Sequence, residues 1–146
     1  GETTWFLAQT ARMVYSIEPD LKLFLGARER FDHCHNVQII HGLSEDVLPK
    51  LLPTLHGNVC FWLDGHYTDE STHRGPQDTP IADELACIGG HLSRLGRVVV
   101  LIDDVHLFNG QTHVYGAYPH IDDIAAWAHR HRMSGHIEHD IFIAKT

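Results

Sequence analysis

The 146-residue chain is 43% hydrophobic and 21% charged, an ordinary balance for a soluble globular protein with length for one domain, 1–146, and a buried core. Eleven Lys and Arg against 19 Asp and Glu give a net charge of -8, and the basic residues are scattered, which argues against a nucleic-acid partner. No apolar run approaches the roughly 20 residues of a membrane span, no secretory leader is visible, and Cys34, Cys60 and Cys87 form no CxxC, so the expectation is a cytoplasmic protein with reduced thiols and no membrane partner.

Short apolar runs alternate with amphipathic stretches along the chain. TTWFLAQTA (3–11) reads as the front of a helix capped by Thr3 or Thr4, and MVYSIEPD (13–20) as a strand broken at Pro19. LKLFLGARERF (21–31) sets Leu21, Phe24, Leu25, Ala27 and Phe31 near one helical face. NVQIIHG (36–42) is a second strand. SEDVLPKLLPTL (44–55) begins like a helix, with Pro49 demanding a late start near Asp46 or a kink. NVCFWLDGH (58–66) is a third strand, apolar until Asp64, with Cys60 expected in the core. The polar stretch 67–80 reads as a loop over a site, where His73 and Arg74 could meet substrate. Residues 81–95 read as a helix despite Gly89-Gly90, 97–104 as the fourth strand, 121–132 as a helix and 136–146 as extended chain. His33, His35, His129 and His131 alternate around single residues, a pattern read as polar surface rather than a chelate.

Strands without polar alternation, separated by helices, imply an α/β fold: a Rossmann-like three-layer sandwich with a mostly parallel sheet. Ligands in such sheets bind beyond the carboxyl ends of the strands. There the chain places Glu18, then His41-Gly42, then Asp64, then Asp103-Asp104. Each acid alone is as compatible with a helix cap or a solvated turn. Together, Asp64, Asp103 and Asp104 suit a hard cation such as Mg2+, and Glu18 suits a ribose diol.

The series G-E-T-T-W-F-L-A, V-Y-S-I-E-P-D, H-G-L-S-E-D-V-L, F-W-L-D-G-H-Y and L-I-D-D resembles the class I S-adenosylmethionine-dependent methyltransferases, closest to the macrocin-type metal-dependent O-methyltransferases. The resemblance implies S-adenosylmethionine as cofactor. Gly1, Thr3 and Thr4 would lie near its methionine part, Glu18 at its ribose, and Ser44 and Glu45 beside its adenine. It also implies Asp64, Asp103 and Asp104 as metal ligands, with Asp64 and His66 at the chemistry and His66 as base. The acceptor expected is a small molecule, with homo-oligomerisation left open. Members of this family begin with a central strand carrying the glycine turn, so the resemblance implies a partial domain lacking that strand and a full antiparallel C-terminal pair. Two rival readings stand beside it: a NAD-dependent oxidoreductase, since Glu18 suits that ribose equally, and a non-catalytic remnant of the fold.

Overall fold

The computed structural model describes residues 1–64, 79–113 and 116–146. The chain divides into two compact units, 1–47 and 48–146.

The first unit holds helix α1 (Glu2–Ala8), strand β1 (Val14–Glu18), helix α2 (Leu21–Phe31), strand β2 (Val37–His41) and the start of helix α3 (Ser44–Leu51). β1 and β2 pair in parallel from Val14↔Val37 to Glu18↔His41. Gly1, not Thr3 or Thr4, caps α1. Thr4 is buried and its hydroxyl donates to Ser16 Oγ on β1 at 3.1 Å. Asp20 caps α2, its Oδ1 accepting the Leu23 N–H at 2.9 Å, at a helix start, where aspartate is favoured. The expected apolar face of α2 is only partly covered: Phe31 is buried, whereas Leu21 and Leu25 stay more than half exposed. A pair of strands is about as wide as one helix, too narrow to cover a full helical face.

In the second unit α3 runs through Pro49 and tightens into a 3-10 turn at Leu52–Thr54. Strand β3 (Val59–Leu63), helix α4 (Ile81–His91), strand β4 (Val98–Ile102), the two-residue strands β5 (Thr112–His113) and β6 (Gly116–Ala117), helix α5 (Ile121–Arg130), and strands β7 (Ser134–Glu138) and β8 (Ile141–Lys145) follow. The sheet order is β3-β4-β8-β7. β3 and β4 are parallel, from Val59↔Val98 to Leu63↔Ile102, while β8 runs antiparallel to both β4 and β7. The sheet is therefore mixed. It carries the full antiparallel C-terminal pair that the sequence had been expected to lack. The β7–β8 turn, His139 and Asp140, adopts left-handed φ angles of 49° and 65°, the geometry of a tight hairpin that glycine or asparagine usually signals; neither is present, so the pattern read as one extended segment.

One face of this sheet is closed. Val98, Val100 and Ile102 are buried with Phe142 and Ala144, alongside Leu85 and Ile88 of α4 and Ile124 and Trp127 of α5. The Trp127 indole N–H donates to the Leu85 carbonyl at 2.9 Å, tying α5 to α4. Gly89 permits a second contact there, because a Cβ would stand 2.5 Å from His131 Nε2, and the His131 ring packs tilted against Trp127, centroids 5.1 Å apart. The alternate residues Val99 and Leu101 are only half buried, and Cys60 is exposed rather than in the core. All three thiols are free.

Candidate functional site

In the first unit, parallel pairing brings Glu18 level with His41 at the carboxyl ends of β1 and β2. Glu18 Oε1 accepts the Asp20 N–H at 3.0 Å, and its carbonyl accepts the Gly42 N–H at 3.2 Å. The carboxylate is thus held by its own turn at a strand end. Gly42, at φ 150°, carries the chain away; a Cβ there would stand 3.0 Å from Val47 Cγ2. Ser44 and Glu45 open α3 just beyond, and the Ser44 hydroxyl donates to Glu45 Oε2 at 3.4 Å. The chemistry of an acceptor-only carboxylate fixed at a strand end is compatible with a ribose diol. Thr4 is engaged with Ser16, and Gly1 is exposed at the front of α1.

In the second unit, the β3–β4 register ends at Leu63↔Ile102, and the ladder extends one step through the Asp103 N–H to the Leu63 carbonyl at 3.0 Å. Asp64 and Asp103 therefore leave neighbouring parallel strands side by side. Both line one small recess with Thr79, Glu84, Phe108 and Tyr118. Its free volume of about 10 Å³ is close to that of a single water. Glu84 is a residue that sequence reasoning missed. It is 4% exposed, yet in sequence it looks like any acid in a helix's first turn, where the dipole favours negative charge.

The adjacent acids part company after Asp103. Asp103 Oδ1 accepts the Asp104 N–H at 3.0 Å, and Asp104 turns left-handed at φ 56°. The Asp104 carboxylate thereby joins His106 and Asp140. Among the described residues, these three form the group whose ligand atoms all lie within 4.8 Å of one another; no such group contains Asp64 or Asp103. Three ligands at about 2.1 Å from one magnesium ion must converge, and among the described residues Asp64, Asp103 and Asp104 are not brought together as such a group. His66, His73 and Arg74 lie outside the described residues.

No family model matches the sequence, and no curated protein matches it. Solved structures do. A putative methyltransferase from Streptococcus mutans, SMU.1697c, in complex with SAH, superposes with a TM-score of 0.53 at 16% identity, over 100% of this chain and 83% of that one. The chain shares its fold. A putative methyltransferase from Pseudomonas syringae gives 0.52 at 15% identity, over 99% of this chain and 78% of that one. An O-methyltransferase family protein from Burkholderia thailandensis gives 0.53 at 12% identity, over 96% of this chain and 46% of that one. The α/β, Rossmann-like expectation holds on these neighbours. No helix among the described residues is long and apolar enough to cross a membrane.

Proposed function

We propose that the protein is an S-adenosylmethionine-dependent methyltransferase that methylates a hydroxyl of a small molecule. The observation that carries this reading is the placement of carboxylates at the ends of parallel strands, Glu18 on β1 and the neighbours Asp64 and Asp103 beyond β3 and β4. Methyltransferases among the fold's neighbours, one in complex with SAH, support it. In this reading Glu18 accepts the ribose hydroxyls, Ser44 and Glu45 lie beside the adenine, and the backbone at Gly1 and Thr3 is near the methionine part.

Bound there, S-adenosylmethionine supplies a methyl group activated on a sulfonium. The remaining tasks fall to the chain. A neutral alcohol is a weak nucleophile, so its oxygen must be oriented and its proton removed. In this reading Asp64 and Asp103 accept a hydrogen bond from such a hydroxyl. His66, two residues beyond Asp64 in sequence, is the proposed base.

The net charge of -8 favours a small acceptor over a phosphate backbone. Two further fold neighbours are the 23S rRNA methyltransferase ErmE and an rRNA methylase from Streptococcus thermophilus, so the test needs an RNA arm. Protein, methyl-labelled cofactor and a panel of hydroxylated small molecules are incubated in parallel with ribosomal RNA. Label on a small-molecule oxygen, reduced roughly 100-fold or more by His66→Ala, is expected. Label on RNA alone, or transfer untouched by His66→Ala and Asp103→Asn together, would defeat the assignment.

A further inference from the structure

We propose that Asp104, His106 and Asp140 form a binding site for a divalent transition metal of the zinc and cobalt class, separate from the recess lined by Asp64 and Asp103. The side chains come from the β4 exit and the β7–β8 turn. His106 Nδ1 stands 2.5 Å from Asp140 Oδ2 and 3.9 Å from Asp104 Oδ1. Ligands about 2.1 Å from a common ion stand about 3.0–3.5 Å apart. The His106–Asp140 pair would open by about 0.5–1 Å and the His106–Asp104 pair close by about 0.4–0.9 Å.

The donor set decides the metal. Magnesium and calcium take oxygen ligands, whereas an imidazole nitrogen between two carboxylates suits zinc, cobalt, nickel or manganese. Supporting bonds orient the ligands: the other Asp140 oxygen accepts the His106 N–H at 2.9 Å, and the Asp140 carbonyl accepts the Val105 N–H at 2.9 Å. A ligating carboxylate fixed by a second hydrogen bond is the usual outer arrangement of a metal site. His106 is 61% and Asp140 45% exposed, so water fills the remaining coordination positions. Such an ion would fasten the β4 exit to the C-terminal hairpin. The site is independent of methyl transfer and stands or falls without it.

The test uses full-length protein without a histidine tag, titrated with cobalt(II) chloride by calorimetry and visible absorption. Fourteen histidines make stray binding a real alternative, so stoichiometry and variants decide. One equivalent is expected, undisplaced by excess magnesium. Asp140→Asn and His106→Gln should each weaken it about tenfold or more, while His139→Asn, adjacent but outside the triad, leaves it unchanged. Asp104→Asn should also weaken it, and asparagine tolerates the left-handed backbone at 104 and 140. No binding overturns the proposal. So does binding that all three triad variants retain, which would place the ion on other histidines.

Discussion

Substituting Gly96 tests the register that sets Asp64 beside Asp103. The Gly96 N–H donates to the Gly57 carbonyl at 2.8 Å, Arg97 N–H to Asn58 Oδ1 at 3.0 Å, and Val59 N–H to the Arg97 carbonyl at 3.0 Å. These bonds join the amino ends of β3 and β4, and five paired residues later the two aspartates emerge together. A Cβ on Gly96 would lie 2.7 Å from Asn58 Oδ1 and 3.1 Å from the carbonyl carbon and oxygen of Gly57. Two of those atoms are backbone, and Asn58 cannot swing aside without releasing Arg97. Overpacking costs about 1–3 kcal/mol, offset by about 0.4–1 kcal/mol from a stiffer unfolded chain. Gly96→Ala should therefore lose about 1–2 kcal/mol, a fall in Tm of about 3–6 °C for a domain of this size. Gly90 supplies the control. It lies inside α4 with nothing within 4 Å of its Cβ position, so Gly90→Ala should gain about 0.5–1 kcal/mol. Melting curves followed by circular dichroism measure both. Equal or inverted signs would show that the Gly57–Gly96 approach is not the constraint.

Two further outcomes follow from the first unit and from β3. Thr4→Val removes the buried bond to Ser16 and should cost about 1 kcal/mol in urea unfolding, while leaving cofactor binding intact; a large binding loss would return Thr4 to the cofactor site. Burial pushes the Cys60 thiol up, and that of Cys87 likewise. A raised thiol holds its proton longer than in the unfolded chain, so its stabilising contribution is complete below the ordinary thiol value and fades as pH rises through the folded one. Alkylation of Cys60 by iodoacetamide should accordingly reach its half-maximal rate at a higher pH than a free thiol, although the residue is exposed; a profile matching free cysteine would refute this.

Strands β1 to β4 were legible as apolar runs, a local pattern that a carboxylate closes in β1, β3 and β4. Helix α2 was legible end to end, since the 3.6-residue spacing marks it. What the sequence withheld depended on distant partners. The divergence of Asp104 needs a left-handed residue that nothing in D-D-V-H announces, and its companion Asp140 lies 36 positions on in a hairpin turn without glycine. The burial of Glu84 follows from α4 packing over the recess, not from its neighbours in sequence. Cys60 and the α2 leucines were misread for one reason: an apolar residue marks a face, and only tertiary structure decides whether anything covers it. The glycine pair in α4 became intelligible in half, with Gly89 accommodating His131.

The most direct measurement of the central claim is calorimetric titration of S-adenosylhomocysteine into the protein and into Glu18→Gln, with NAD+ as the competing ligand. A carboxylate accepting ribose hydroxyls is a charged acceptor worth about 1.5–3 kcal/mol per bond, so the account predicts one site, weakened by about tenfold or more in the variant, and no heat with NAD+. Heat with NAD+ and none with S-adenosylhomocysteine would contradict it.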